Sequence, residues 1–143
     1  MGSGKRILAI DYGTKNIGLA CCDELGITVR PLPSIPNSGK RFLIRKLQMM
    51  IETMGIQELV LGMPLNMDGT RGHAHTQMEQ RMEALSNSLK IRANGVDERL
   101  STVEALEIWE RMSPRQQKKY RTVDSLAAAL ILERYLKEDP LAT

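Results

Sequence analysis

The sequence predicts an α/β domain built on a mixed five-stranded sheet, with its first three strands antiparallel and helices flanking it. Three short β-prone segments follow one another near the N-terminus, before any helical pattern begins. Beyond residue 39, segments with helical periodicity alternate with short apolar strands. A run of strands followed by such alternation is typical of a mixed sheet with helices packed on it.

A tight turn joins the first two strands. Residues 5–11 and 16–22 are rich in aliphatic side chains, and the intervening YGTK is typical of a turn. A third strand is predicted over residues 26–34, where prolines end it. Together these three segments predict an antiparallel meander.

The rest of the chain alternates helices and strands. Apolar residues at helical spacing predict a helix over residues 39–54, which Gly55 ends, and a second helix over residues 73–89. The intervening apolar run at residues 58–63 is typical of a buried strand. A short strand end is predicted at residues 96–99.

Two further helices are predicted in the C-terminal part. The residues STVE at 101–104 match a capping box, which predicts a helix from residue 101 to about 112. The last helix is predicted to start at Thr122 or Val123, because the residues that follow are strong helix formers. After the strand at residues 58–63, PLNMDGTRG is predicted to be an extended loop.

Length and composition limit the class of protein. The 143 residues fit one domain, predicted to span residues 1–143 with flexible tails at 1–4 and about 138–143. No apolar run approaches the roughly 20 residues that a membrane span needs, and no export signal is visible. We therefore expect a soluble cytoplasmic protein without a membrane partner, in which the adjacent Cys21 and Cys22 are reduced.

The positive charge is concentrated in one segment. The chain has a net charge of +3, and residues 111–121 contain five basic residues and no acidic one. Such a cluster attracts polyanions, of which nucleic acid is the commonest. A solvated linker explains the same charge equally well.

Four acidic residues fall where the predicted elements end or begin. Asp11 ends the first strand, Asp97 and Glu98 end a late strand, and Asp124 lies in the first turn of the last helix. Each has an ordinary structural explanation, since an Asp after a strand accepts turn hydrogen bonds and an Asp in a first helical turn is favoured by the helix dipole. Taken together, they suggest a site.

Asp124 is the least easily explained of these acids. It shares a helix face with Ala128 and Ile131, so it projects from the side that packs against the sheet. An ionised carboxylate withdrawn from water needs a partner. If Asp124 meets Asp11 and Glu98 at one end of the sheet, the three carboxylates need a divalent cation, and such oxygen ligands suit Mg²⁺ or Mn²⁺.

Carboxylates arranged around divalent cations are suited to phosphodiester hydrolysis. One or two ions, about 4 Å apart when paired, activate water and stabilise the leaving oxygen. The basic segment would then hold the substrate backbone. The sequence therefore predicts a metal-dependent nuclease.

Four motifs in this order resemble the YqgF family of Holliday-junction-resolvase-like proteins, also described as pre-16S rRNA nucleases. The motifs are ILAIDYGTKNIGLA, LVLGMPLNMDGT, VDERLSTVEA and VDSLAAALIL, and the resemblance covers Arg6 to about Leu136. It implies an RNase H-like fold, a cytoplasmic bacterial protein, and metal-dependent cleavage at the 5′ end of precursor small-subunit rRNA, free or in a pre-ribosomal particle.

The resemblance also implies site residues. The family's first acid falls on Asp11, its Asp-Glu-Arg motif on residues 97–99, and the acid of its terminal motif on Asp124. Neighbouring strand residues point to opposite faces, so only one of Asp97 and Glu98 joins the site. Glu98 is the preferred ligand and Asp97 the alternative.

Substrate contacts are predicted at three places. The resemblance suggests that the loop containing Asn66 and Arg71 approaches the substrate, although a plain connecting loop held by its own turn hydrogen bonds explains it equally well. Phosphate contacts are expected from the following basic residues: Arg99, Lys118, Lys119 and Arg121.

His73 and His75 are two residues apart and do not share a helix face, which argues against a metal pair.

Other functions share parts of this pattern. A Holliday junction resolvase would use the same chemistry on four-way DNA but needs a symmetric dimer, whereas we expect a monomer or weak homodimer. The turn Asp11–Thr14 also occurs in sugar-kinase, actin and heat-shock ATPases, which are far longer because they duplicate the fold. A non-catalytic nucleic-acid-binding module is the remaining alternative, and the combination of Asp11, Glu98 and Asp124 favours catalysis over it.

Overall fold

The described part of the molecule is a mixed β-sheet with helices on both faces. The computed structural model describes residues 5–66, 68–98 and 101–138, with the backbone alone at 101, 102 and 138. In chain order the elements are β1 (Ile7–Tyr12), β2 (Asn16–Cys22), β3 (Val29–Pro36), α1 (Lys40–Met54), β4 (Glu58–Met63), α2 (His73–Leu89), β5 (Arg92–Asp97), α3 (Ser101–Arg111), α4 (Pro114–Tyr120) and α5 (Val123–Glu138).

The strand order of the sheet is β3-β2-β1-β4-β5. The first three strands pair antiparallel, whereas β1 pairs parallel with β4 and β4 pairs parallel with β5. The predicted mixed five-stranded sheet is confirmed. Because β1, β4 and β5 run in the same direction, their last residues lie together at one end, which we call the carboxyl end of the sheet.

Both faces of the central strand β1 are buried. Leu8 and Ile10 pack towards α1 and α2, in a cluster that includes Leu47. Ile7 and its neighbours on the other face pack against α5, in a cluster that includes Ile131. This continuous burial explains why β1 is an uninterrupted apolar run, and it makes β1 a rigid support for the residues at its end.

The third strand lies later in the chain than the sequence suggests. It covers Val29–Pro36 instead of residues 26–34, because residues 23–28 form a turn. In that turn the Ile27 N–H donates to the Asp23 carboxylate at 2.9 Å, and Gly26 has a φ of 69°. Three prolines are tolerated in β3 because it is an edge strand and pairs only with β2.

The fifth strand is longer than expected and begins earlier. It covers Arg92–Asp97, whereas only a short strand end at residues 96–99 was predicted. Asn94 and Gly95 disfavour a strand locally, but pairing with β4 along its whole length holds the segment extended. Position 99 lies outside the described residues.

The basic segment is helical rather than a linker. Its helix α4 begins after Ser113, whose hydroxyl accepts from the Gln116 N–H at 3.2 Å, while the Gln116 side chain accepts from the Ser113 N–H. This capping box, with proline at the first helical position, is the local reason for the helix. The other capping box, predicted at residues 101–104, involves side chains outside the described set.

The structure also bears on the state of the cysteines and on membrane-spanning helices. Cys21 and Cys22 are buried free thiols, as expected. Within residues 5–66, 68–98 and 101–138, no helix is long and apolar enough to cross a membrane.

Candidate active site

Asp11 lies at the carboxyl end of β1, on the face covered by α5. Asp11 is only 7% exposed, and the four apolar residues before it are at most 1% exposed. Asp11 pairs across the sheet with Gly18 of β2. Burial raises the pKa of the Asp11 carboxyl, the hydrogen bond from Glu98 opposes this rise, and the charge of Asp124 adds to it.

Glu98 follows the last residue of β5 and meets Asp11. The Glu98 N–H donates to the Met63 carbonyl at 3.1 Å, which continues the alignment of β5 with β4. The carboxyl groups of Glu98 and Asp11 are hydrogen-bonded to each other. Burial, followed by the negative charge of Asp11, raises the pKa of Glu98 to about 7. Below about pH 7 the coupled pair therefore retains a shared proton.

Asp124 lies in the first turn of α5, as predicted. The helix begins after Thr122, whose hydroxyl accepts from the Ser125 N–H at 3.1 Å, a helix-capping hydrogen bond. The Asp124 side chain is half-buried, and burial raises its pKa. The negative charge of Asp124 in turn adds to the rise in the pKa of Asp11.

Two glycines flank Asp11 in the sheet and make room for the other two acids. A Cβ atom on Gly18 would lie 2.0 Å from the Asp124 carbonyl oxygen, so α5 approaches β2 closely only because this residue is glycine. A Cβ atom on Gly62 of β4 would lie 2.6 Å from Glu98 Oε2 and 2.7 Å from Ile131 Cδ1. Asp124 and Glu98 therefore lie over strand positions that have no side chain.

Asp97 lies on the opposite face of the sheet from Glu98. It borders a cavity of about 370 Å³ that is also lined by Arg71 and His75, on the side covered by α2. Its backbone carbonyl accepts a hydrogen bond from the guanidinium of Arg134 in α5. The two acids thus lie on opposite faces, as strand alternation predicts, and the structure places Glu98 rather than Asp97 beside Asp11.

The loop after β4 is held by its own hydrogen bonds. Asn66 Nδ2 donates to the Thr70 hydroxyl at 2.8 Å, and that hydroxyl donates to the Asp68 carboxylate at 2.6 Å. Asn66 and Arg71 are exposed. This arrangement supports the interpretation of a connecting loop for Asn66, and the structure does not bring Asn66 into contact with Asp11 or Glu98.

The basic residues of α4 are exposed and lie just before Asp124 in the chain. Lys118 and Lys119 occupy its last turn, and Arg121 joins α4 to α5. Arg121 has a φ of 70° and a ψ of −65°, and the Thr122 N–H donates to the Tyr120 carbonyl at 2.8 Å. This is a γ-turn of the strained kind, which costs a non-glycine residue on the order of 1–3 kcal/mol.

The two histidines of α2 have different environments. His73 is exposed, whereas His75 is buried with its Nδ1 atom 3.4 Å from the Glu79 carboxylate. The geometry of that contact is not a hydrogen bond, so Nδ1 is an unsatisfied buried atom. The histidines do not face each other, as their spacing predicts.

The donor set at the carboxyl end of the sheet fits a hard divalent cation. Asp11 and Glu98 present adjacent carboxyl oxygens, and Asp124 adds a third carboxylate on the same face. In the part of the chain that the structure describes, no three acidic, histidine or cysteine side chains already converge as a finished metal centre. Asp11, Glu98 and Asp124 are the residues that would hold such a cation, and Glu98 would first have to lose its proton.

Three residues that shape this site are not identified by the sequence analysis. Gly18 and Gly62 provide the space beside Asp11, and Arg134 fixes the end of β5. A glycine inside a predicted strand is a known signal of close backbone approach, and both glycines carry it. Arg134 offers no comparable signal, because a single arginine on an amphipathic helix is ordinary.

Comparison with other proteins gives the family. Residues 5–138 match the family model RuvX, described as Holliday junction resolvase. A relative from Buchnera aphidicola is 42% identical over 90% of this chain and 94% of its own. A relative from Syntrophus aciditrophicus is 38% identical over 92% of this chain and 87% of its own. Both relatives bear the name "Putative pre-16S rRNA nuclease".

Solved structures show the same fold at low sequence identity. RuvC of Thermus thermophilus in complex with a Holliday junction substrate matches with a TM-score of 0.53 and 11% identity, covering 93% of this chain and 95% of RuvC. The fowlpox virus Holliday junction resolvase matches with a TM-score of 0.54 and 13% identity, covering 94% and 99%. With residues 5–138 matched to the family model, the chain belongs to the RuvX family of nucleases, described as Holliday junction resolvases.

Proposed function

We propose that this chain is a divalent-metal-dependent nuclease that processes the precursor of 16S rRNA. The observation that carries the proposal is the buried, hydrogen-bonded carboxyl pair of Asp11 and Glu98, with Asp124 beside it. Burying two acids together is costly for folding, so the pair is more readily explained by chemistry than by stability. The names of the relatives suggest the RNA substrate.

In this proposal, Asp11, Glu98 and Asp124 hold one or two Mg²⁺ or Mn²⁺ ions. When bound, the cation supplies the positive charge that activates water and stabilises the leaving oxygen during phosphodiester hydrolysis. Asp11 is fixed by β1, which is buried on both faces, and is therefore the most rigid of the ligands. Glu98 must lose its proton before it can bind the cation.

The basic residues near Asp124 have the complementary role of holding the RNA backbone. Lys118 and Lys119 are exposed in the last turn of α4, and Arg121 precedes α5. The strained backbone at Arg121 is more readily explained by substrate positioning than by folding, because glycine would fit this conformation better. We propose that these cations contact phosphates of the cleaved strand.

Cleavage of defined substrates tests the proposal. A 5′-extended 16S rRNA precursor, free and in pre-ribosomal particles, and a labelled four-way DNA junction are incubated with Mg²⁺, Mn²⁺ or chelator. We expect metal-dependent cleavage of the RNA that is lost in Asp11→Asn and retained in Asp23→Asn, a matched change in an exposed turn at the other end of the sheet. RNA cleavage that persists in chelator or in Asp11→Asn would contradict the proposal.

The DNA junction arm tests the alternative substrate suggested by the family description. Cleavage of the junction alone would replace RNA by four-way DNA as the substrate. Resolving a junction requires two active sites on two strands, and therefore a symmetric dimer. We propose that the protein acts in the cytoplasm as a monomer or weak homodimer, which sedimentation of the active enzyme would test.

A further inference from the structure

A second cavity opens on the face of the sheet opposite Asp11. It has a volume of about 470 Å³ and lies between the start of α1 and the middle of α2, with Tyr12 of β1 in its wall. Pockets of roughly 300–1,000 Å³ accept small organic ligands, so one nucleotide fits. Its polar lining residues are Tyr12, Asn37, Lys40, Gln77, Gln80 and Arg81. We call it the Tyr12 pocket.

The Tyr12 pocket opens at the carboxyl end of the sheet, where the Asp11–Glu98 pair also lies. Tyr12 directly follows Asp11 in β1, and neighbouring strand residues point to opposite faces. The helix α1 begins at this end too, because β3 runs parallel to β1 and leads into α1. A single strand of nucleic acid that crosses the end of β1 can therefore contact both faces.

The chemistry of the Tyr12 pocket matches a nucleotide. Lys40 and Arg81 give it two positive charges, and none of the described residues that line it is a carboxylate. The Arg81 guanidinium lies 5.1 Å from the centre of the Tyr12 ring, which is a cation–π contact between two planar groups. Bases stack on arginine and aromatic planes of this kind.

The remaining polar residues of the pocket suit the edge of a base. Asn37, Gln77 and Gln80 each carry an amide that can both donate and accept hydrogen bonds. Asn37 also donates to the Gly13 carbonyl at 3.0 Å, which ties the pocket wall to the turn that follows Asp11. The pocket is therefore mechanically linked to the strand end that carries the acid.

We propose that the Tyr12 pocket receives the nucleotide next to the scissile phosphate. Lys40 and Arg81 bind its phosphate, the base stacks on the Arg81–Tyr12 surface, and the side-chain amides contact the base edge. The inference rests on the proposed function in one respect, namely that the nucleic-acid strand bound in the pocket extends to Asp11. It adds a specificity-determining site on the face of the sheet that the acids do not occupy.

Nucleotide binding in the absence of catalysis tests the pocket directly. The side-chain amide resonances of Asn37, Gln77 and Gln80 are followed by NMR while nucleoside 5′-monophosphates are added in chelator. We expect saturable shifts of these resonances, and their loss in a Lys40→Gln, Arg81→Gln double variant. Absence of these shifts, or shifts that persist in the double variant, would overturn the proposal.

A matched variant and a kinetic measurement complete the test. The Arg45→Gln, Arg92→Gln protein removes two exposed charges outside the pocket and should bind nucleotides as the unmodified protein does. With RNA, the pocket variant should raise KM about tenfold and leave kcat within about twofold. An active Asp11→Asn enzyme would refute the proposed nuclease site, whereas the NMR titration would still decide whether the pocket binds nucleotides.

Discussion

Replacing Glu98 with glutamine should stabilise the protein at alkaline pH. Burial and the charge of Asp11 raise the pKa of Glu98 from 4.5 to about 7, so the folded protein holds this proton more tightly than the unfolded chain does. The contribution of the Glu98 proton to the free energy of unfolding is fully present below pH 4.5. It is lost as the pH rises through 7. Glutamine keeps a hydrogen-bond donor beside Asp11 and carries no charge to bury.

The expected magnitude follows from the two pKa values of Glu98. Each unit between 4.5 and about 7 corresponds to about 1.4 kcal/mol, so ionising Glu98 in the folded state costs at most about 3 kcal/mol at pH 8. Glu98→Gln should therefore be up to about 3 kcal/mol more stable than the unmodified protein at pH 8 and nearly equal to it at pH 4.5. Its nuclease activity should be lost.

Urea denaturation in chelator at pH 4.5, 6 and 8 measures this difference. Glu83→Gln, a change at an exposed position of α2, is the matched control and should alter stability little at any of these values. A Glu98→Gln protein that is equally or less stable than the unmodified protein at pH 8 would refute the reasoning, because the carboxyl pair would then not be under electrostatic strain.

Three further substitutions test other parts of the site. Gly62→Ala places a Cβ atom 2.6 Å from Glu98 Oε2 and should lower kcat about tenfold, whereas the exposed control change Glu83→Gln should not; steady-state kinetics distinguishes them. Arg121→Gly relieves the γ-turn and should raise the free energy of unfolding by about 1 kcal/mol while weakening RNA binding, as measured by thermal denaturation and fluorescence anisotropy. Asp124→Asn should abolish metal-dependent cleavage with the circular dichroism spectrum unchanged, and retained activity would remove Asp124 from the site.

The positions of the acids in the strands and helices follow from local patterns in the sequence. An apolar strand that ends on Asp11 and a helix whose buried face carries Asp124 are both visible without a structure. Strand alternation predicts that only one of Asp97 and Glu98 joins Asp11, and the structure places Glu98, the preferred of the two, beside it. These expectations depend only on short-range periodicity and on strand direction.

Features that depend on long-range pairing are not predictable in this way. The strand β5 contains Asn94 and Gly95, and only its pairing with β4 holds it extended. The helix α4 is a different case, because it has a local signal. Its Ser-Pro capping sequence at residues 113–114 is recognisable, but the prediction for this segment used only its positive charge. The Tyr12 pocket brings together residues from β1, α1 and α2, which no local pattern connects.

Titration with Mn²⁺ in a calorimeter tests the central claim, that Asp11, Glu98 and Asp124 form a metal site, most directly. The unmodified protein should bind Mn²⁺ at pH 6.5 and release protons, because Glu98, with a pKa of about 7, must ionise. Asp11→Asn and Asp124→Asn should each weaken binding at least tenfold, while Asp23→Asn should bind as the unmodified protein does. Equal Mn²⁺ binding by all four proteins would contradict the assignment of the metal site to these acids.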